Sequence, residues 1–315
     1  MTRVAAVDCG TNTVRLLVAD IDVAAGTQDS LVREMRIVRL GQDVDRTGRL
    51  ADEALVRVFA AVDEYAAVVA SHGVDAVRFV ATSAVRDASN ADVFLRGIRD
   101  RLGVEPEVVS GDEEAALSYD GTTRALDDVP APVAVLDIGG GSTELIVGDP
   151  STGAGRHGSA HVTAARSLDV GSVRITERLM PSDPPTAGEL EAATRAVDDA
   201  LDTLPSYGVR VGDARTLVGT AGTVTTVAAI LLGLERYDRE QVQGASFPRA
   251  EVHDLVARLL AMTAEERRRL GVPSGRSDVI GAGALILDRV LRRSGADRLT
   301  VSDSDILDGI AWSVA

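Results

Sequence analysis

An aspartate followed by x-Gly and a short polar turn occurs twice, each time between apolar runs: VAAVDCGTNTVRLLVAD from Val4 and VAVLDIGGGSTELIVGD from Val133. The copies align without a gap, placing Asp8 on Asp137, Gly10 on Gly139, Thr13 on Ser142 and Asp20 on Asp149. Each copy reads as strand, tight turn, strand. Such a hairpin presents a carboxylate and several backbone N–H groups at one end of a sheet. Backbone N–H groups in a small-residue turn bind phosphate oxygens, and an aspartate beside them can hold a divalent cation. Two such hairpins facing each other would grip a chain of phosphates from both sides, which points to phosphoanhydride chemistry.

The second copy carries the stronger signal. In DIGGGSTE (137–144) a glycine triplet exposes successive N–H groups and allows close backbone approach. An ordinary hairpin turn would not need three glycines, nor the flanking acids. Asp137 and Glu144 are the expected Mg²⁺ ligands, because Mg²⁺ takes one or two carboxylates and completes its shell with phosphate and water. In the first copy, DCGTNT (8–13), Asn12 could instead fill a left-handed turn position. Arg15 stands where Glu144 stands, which would turn a metal-side position into a phosphate-side one; a solvated strand arginine is the competing reading. Asp8 joins the expected metal ligands by its register with Asp137. Cys9 aligns with Ile138 and reads as a small buried apolar residue.

Outside the repeat, SGDEEA (110–115) offers Glu113 and Glu114. Phosphoanhydride hydrolysis needs an oriented water and a carboxylate to accept its proton. Acidic residues in a first helical turn are also favoured by the helix dipole alone. ATSAVRD (81–87) ends a strand with Arg86 near the same sheet edge, or with a plain surface arginine. GTAGTVTT (219–226) suits an anion at a helix N-terminus or close helix–strand packing. The four histidines show no metal-binding spacing, His157 and His161 read as surface residues, and there is no P-loop, nucleophile elbow or C-x-x-C.

These groups must be positioned by alternating strands and helices. Leu31–Gly41 reads as a third strand, Ala51–Ser71 as an amphipathic helix and Ala76–Ala81 as a buried strand. A helix opens near Asn90 and another at Ser110. DDVPAP (127–132) is the expected boundary between a domain of residues 1–126 and one of 127–303, with a last helix at about 304–315 returning to the first. The second half repeats the plan: hairpin, strand Arg156–Leu168, helices over 169–180 and 186–204, a strand ending at GTAGT, helices near 249–261 and 277–293, and strand 298–302. The expected fold is α/β, two similar domains with the ligand between them.

Composition narrows the function. A net charge of −15 argues against nonspecific nucleic-acid or anionic-membrane binding. No apolar run approaches the ~20 residues of a membrane span. A single cysteine excludes an internal disulfide and suits the cytoplasm. The chain contains no lysine, so any side-chain phosphate clamp must be arginine, which binds oxyanions bidentately.

Taken together, VDCGTNTVRLLV, RLGQDVDRTGRL, ATSAVRD, SGDEEA, LDIGGGSTELIVG, GSVRITERL, VGTAGTVTTVAAI and DVIGAGALIL, in this order, resemble the exopolyphosphatase / guanosine pentaphosphate phosphohydrolase (Ppx/GppA) family, within the actin-like ATPase (ribonuclease H-like) fold. The resemblance covers nearly the whole chain. It implies a hydrolase using Mg²⁺, or Mn²⁺, that releases terminal phosphate from inorganic polyphosphate or the 5′-terminal phosphate from pppGpp. By motif position it implies Glu114 as catalytic base with Glu113 its neighbour and Arg86 as a substrate contact. Asp137 and Glu144 fall at the metal and phosphate site, Gly139, Gly140, Gly141, Ser142 and Thr143 form the second phosphate loop, and Gly10, Thr11 and Asn12 form the first. Two departures stand out. The chain lacks the C-terminal helical domains of longer members, which favours short polymers, and the usual Gly-Leu-Arg-Glu-Gly run appears as DILDGIA (305–311). A non-catalytic polyphosphate or (p)ppGpp sensor, a sugar-kinase-like phosphotransferase and a homodimer remain open at this point.

Overall fold

The computed structural model describes residues 1–126, 129–150 and 161–315. In chain order it forms β1 (Thr2–Cys9), β2 (Thr13–Asp22), β3 (Thr27–Ile37), α1 (Val44–Thr47), α2 (Asp52–His72), β4 (Ala76–Ala81), α3 (Ser83–Arg86), α4 (Ala91–Leu102), β5 (Glu107–Val108) and α5 (Gly111–Arg124). There follow β6 (Val133–Ile138), β7 (Thr143–Asp149), β8 (His161–Leu168), α6 (Ser172–Leu179), α7 (Ala187–Leu201), β9 (Thr216–Thr220), α8 (Ala221–Leu231) and α9 (Arg239–Val242). The chain ends with β10 (Ser246–Pro248), α10 (Arg249–Ala261), α11 (Ala264–Arg269), α12 (Ile280–Arg293), β11 (Arg298–Val301) and α13 (Ile306–Trp312). Two compact units result: Met1–Gly121 with Ile306–Ala315, and a second built from the chain between Thr122 and Asp305. The division falls inside α5, ahead of the DDVPAP stretch, of which Asp127 and Asp128 lie outside the described residues.

The duplication visible in the sequence is carried through to the sheets. Among the described residues the first sheet runs β3-β2-β1-β4-β5 and the second β8-β7-β6-β9-β11-β10. In each, the first three strands are antiparallel and the next two join in parallel. This is the strand order of the actin-like, ribonuclease H-like fold. Even the irregularities match: the register shifts between Val18 and Ala19 in β2 and between Val147 and Gly148 in β7, which are aligned positions of the two copies.

Period-2 patterning explains the layering. Ala5, Val7 and Cys9 of β1 bury on one face with Val58, Val62 and Tyr65 of α2 and Phe94 of α4. Val4 and Ala6 bury on the other, with Leu117 of α5 and Leu307 and Ile310 of α13. Asp8 follows Val4 and Ala6 in phase and so lies on the α5/α13 face. In the second unit Ala134, Leu136 and Ile138 meet α6, α7, α8, α10 and α12, and Asp137 lies on the opposite face.

Some expectations needed adjustment. The third strand ends at Ile37, not Gly41, because the Val38 and Arg39 N–H groups donate to the Asn12 carbonyl at 3.0 and 2.9 Å. The described part of the strand expected at 156–168 is His161–Leu168; Arg156–Ala160, with His157, lie outside the described residues, as does the side chain of His161. The short α9, β10 and α11 were not anticipated.

The α13 contact is tight. A Cβ on Gly309 would lie 2.0 Å from the Leu117 carbonyl oxygen, a backbone atom with no freedom to swing away. Gly309→Ala is expected to cost about 1–3 kcal/mol by overpacking, seen as a thermal midpoint lowered by roughly 3–10 °C. A midpoint matching that of the parent chain would show that α13 does not pack this closely.

Candidate active site

In the first unit the hairpin closes with a hydrogen bond from the Gly10 N–H to the Thr13 carbonyl at 2.9 Å. That closure sets Cys9 opposite Val14 and Asp8 opposite Arg15. Arg15 uses the opportunity: Nε and Nη2 donate to Asp8 Oδ2 at 2.9 and 2.6 Å, with the two side chains 18 % and 5 % exposed. Arg15 is engaged across the strands with Asp8, and Asp8 carries a cationic partner where a metal ligand would need room for a cation. Burial pushes the Cys9 thiol well up, and the neighbouring Asp8 charge adds to it, so this sulfur stays protonated and non-nucleophilic.

The Thr11-Asn12 turn is held by the segment that follows β3. Its carbonyls accept from Gly41, Val38 and Arg39, at 2.8 Å for Gly41 to Thr11. A Cβ on Gly41 would lie 2.2 Å from Thr11 Cγ2, so only glycine brings this segment so near. Thr11 Oγ1 and Ser83 Oγ, both buried, share a hydrogen bond of 2.9 Å, which ties the turn to α3.

Helix α3 ends in Arg86, whose Nη1 donates to the Val109 carbonyl at 2.8 Å and to Glu114 Oε2 at 3.2 Å. Glu114 is buried in the first turn of α5, where the helix dipole favours a carboxylate. Arg86 and Glu114, singled out separately in the sequence, are thus brought together. Glu113 is not: it pairs with Arg78 at 2.7 Å and is 46 % exposed. Arg78 also holds Glu107 at 2.8 Å, and these hydrogen bonds, that to Glu107 foremost, raise its guanidinium above the ordinary arginine range. The two adjacent glutamates point into different environments, as successive helical positions must.

In the second unit the same closure recurs, with the Gly139 N–H donating to the Ser142 carbonyl at 3.0 Å. It sets Asp137 opposite Glu144. Where the first hairpin pairs an acid with a base, the second pairs two acids, 7 % and 1 % exposed. Like charges directly opposite destabilise a strand pair, and a cation relieves that repulsion. The row continues sideways: Glu144 faces Ser167 on β8, whose hydroxyl donates to Glu144 Oε1 at 2.6 Å, and Asp137 faces Thr220 on β9. Among the described residues no group of three or more His, Cys, Asp or Glu side chains could cage a metal. Two carboxylates beside a phosphate loop suit Mg²⁺ or Mn²⁺, which keep water and phosphate ligands, better than a metal caged wholly by protein.

The turn itself is Gly140-Gly141, and among the described residues nothing accepts a hydrogen bond from either N–H. Their carbonyls face α6. Thr143, expected in the loop, is the first residue of β7, and its buried hydroxyl donates to the Val170 carbonyl at 2.6 Å. At the end of β9, Ala221 adopts a left-handed conformation (φ 64°), and the Arg276 guanidinium lies where a Cβ on Gly222 would stand, 2.4 Å away. Ser167, Arg174 and Arg276 were not read from the sequence as site residues. Only the register of β8 with β7 and the path of the chain beyond it bring the first two to the loop.

Each unit thus presents a hairpin turn of N–H groups beside a buried aspartate, and the second adds a paired glutamate. This is a construction that the actin-like fold permits at the ends of its first two strands. The chain belongs to the Ppx/GppA phosphatase family, whose model matches residues 17–314. It is 44 % identical, over 100 % of its length and 99 % of the relative's, to exopolyphosphatase 2 of Mycobacterium tuberculosis. It is 28 % identical over 98 % of its length to the guanosine-5′-triphosphate,3′-diphosphate pyrophosphatase of Photobacterium profundum, of which it spans 59 %. The crystal structure of an exopolyphosphatase-like protein superposes with a TM-score of 0.94 at 42 % identity, covering 100 % of this chain and 98 % of that one.

The Asp8–Arg15 pair gives a stability test. Arg15→Met removes the counter-charge of a buried carboxylate and is expected to cost about 2–4 kcal/mol. Adding Asp8→Asn should recover part of that loss, giving a clear coupling energy in a double-mutant cycle followed by urea denaturation. Additive losses would mean that the two side chains do not act as a pair.

Proposed function

We propose that this chain is an exopolyphosphatase, hydrolysing the terminal phosphate from inorganic polyphosphate. The observation that carries the reading is the opposed Asp137–Glu144 pair beside a glycine turn whose N–H groups have no acceptor among the described residues. The full-length likeness to a protein named exopolyphosphatase 2 supports it. The lone buried thiol suits a reducing compartment, and we place the reaction in the cytoplasm.

In this reading the N–H groups of Gly140, Gly141 and Ser142 bind phosphate oxygens, as do those of the Thr11-Asn12 turn. Bound by Asp137 and Glu144, Mg²⁺, or Mn²⁺ in its place, supplies positive charge to the phosphate oxygens. Glu114 accepts a proton from water as the water oxygen bonds to the terminal phosphorus. The P–O bond to the next phosphate breaks, and the shortened polymer leaves as the oxyanion. Arg86, which is hydrogen-bonded to Glu114, binds the terminal phosphoryl oxygens in this reading and orients the base. Electrostatic stabilisation by such preset donors is commonly the largest catalytic contribution. Glu113, half exposed and paired with Arg78, is assigned no catalytic part.

Release of the 5′-terminal phosphate of pppGpp is the second reading, prompted by the Photobacterium profundum relative's name. Phosphate release from defined-length polyphosphates, pppGpp and ATP, measured side by side, separates the two. Polyphosphate is expected to be the better substrate, and faster release from pppGpp would reverse the order. Binding without turnover in the presence of Mg²⁺ or Mn²⁺ would instead make the protein a sensor. Glu114→Gln is expected to lower kcat by about 10²–10⁴, and Glu113→Gln to leave it within a few-fold. Equal losses in the two variants would remove Glu114 from the role of base. Chelation by EDTA should abolish turnover, and Asp137→Asn should raise the metal concentration needed to restore it.

A further inference from the structure

Three consecutive residues at the start of α6 take up three consecutive carbonyls of the glycine turn. The Ser172 N–H donates to Gly139 O at 2.9 Å, the Val173 and Arg174 N–H groups to Gly140 O at 2.8 and 3.1 Å, and Arg174 Nε to Gly141 O at 2.8 Å. Ser172 Oγ adds a second bond to Gly139 O at 3.2 Å. The N–H groups of a first helical turn have no partner within their own helix. Here the loop carbonyls satisfy them, and the loop in turn is oriented by the helix.

The consequence follows from peptide geometry. In a planar trans peptide the C=O of one residue points opposite to the N–H of the next. With the carbonyls of Gly139, Gly140 and Gly141 all drawn toward α6, the N–H groups of Gly140, Gly141 and Ser142 are turned to the other side together. Three successive N–H groups on one side form an anion-binding concavity. A run of three glycines would otherwise sample many conformations, and ordering it on binding would weaken affinity. Two further contacts hold the arrangement. A Cβ on Gly171 would lie 2.5 Å from Gly140 O, and Thr143 Oγ1 ties down Val170 O at 2.6 Å.

Among the described residues, the Gly141 carbonyl, the last of the turn, is held by Arg174 Nε, a donor four bonds out along a side chain, whereas the Gly139 and Gly140 carbonyls are also held by backbone N–H groups. We propose that Arg174 is a positioning residue: by fixing the Gly141 carbonyl it aims the Ser142 N–H, and with it the whole turn, at the phosphate. Its work is done by a hydrogen bond within the protein, not by charge on the substrate. The proposal rests on this turn being the phosphate-binding element of the reading above.

The charge and the hydrogen bond can be separated by substitution. Glutamine places Nε2 at the same number of bonds from the backbone as arginine Nε, so Arg174→Gln keeps the donor and discards the charge. Arg174→Lys keeps the charge but has a methylene at that position. Arg174→Met removes both. Hydrogen exchange at the Ser172 and Val173 amides of the ligand-free protein is expected to be near that of the parent in the Gln variant and faster in the Met and Lys variants. KM for tripolyphosphate with Mg²⁺ should rise about three- to tenfold in Met and Lys, the worth of one hydrogen bond, and far less in Gln, with kcat changing less than KM throughout. Lys restoring KM while Gln behaves as Met would make Arg174 a charge contact to substrate and overturn the proposal, as would unchanged exchange in Met. Should Met fail to fold, the Gln-against-Lys comparison decides alone. The exchange measurement needs no substrate, so it stands even if tripolyphosphate proves not to be hydrolysed.

Discussion

The hydrogen bond that closes each hairpin, from a glycine N–H to the carbonyl three residues on, governs what either site can do. It fixes the strand register, and a slip of one residue would carry every side chain to the opposite face. With register fixed, the residue facing the repeated aspartate is decided by sequence alone. In the first unit it is Arg15, and the acid is neutralised within the protein. In the second it is Glu144, and two carboxylates stand opposite each other. One backbone constraint thus yields two electrostatic outcomes from two copies of one motif.

The same economy appears in how the turns are oriented. Both have their carbonyls taken up by the chain segment that leaves the third strand of the sheet: Val38, Arg39 and Gly41 in the first unit, Ser172 to Arg174 in the second. Both segments need a glycine for the approach, Gly41 and Gly171. The turns therefore owe their donor geometry to the segment behind them rather than to their own residues, Thr11-Asn12 in one case and Gly140-Gly141 in the other. This also eases the conflict between a net charge of −15 and a polyanionic ligand. Neutral N–H dipoles at short range act where the screened surface charge does not.

Much of this was legible in the sequence. The hairpins, α2 and β4 follow from periodicity, and Asp52–His72 and Ala76–Ala81 lie close to where the pattern put them. The Asp8–Arg15 pair was readable as well, since a two-residue turn between Gly10 and Thr13 already sets those residues opposite each other; reading Arg15 by its alignment with Glu144 obscured its own partner. The third strand, Thr27–Ile37, lies four residues ahead of the span 31–41 that the pattern suggests, because Val38 and Leu40 are buried like strand residues although they leave the sheet. Helix α11 is marked in the sequence by its capping box, Thr263 and Glu266, although it is too short to show an apolar period. Ser167 and Arg174 were beyond reach. Their placement depends on the β7–β8 pairing and its register shift at Val147/Gly148, which no local pattern encodes.

Helix α13, packed through Gly309 against Leu117, has a consequence for the order in which the protein comes into being. Ile306, Leu307, Ile310 and Ala311 complete the core that also contains Val4, Ala6 and Leu17. A chain made from its N-terminus therefore cannot finish its first unit until the ribosome has passed through the second. During synthesis one face of the β1–β2 hairpin, with Asp8 and Arg15 on it, must wait with α5 but not α13 packed on its core. The unit that is translated first is the last to close.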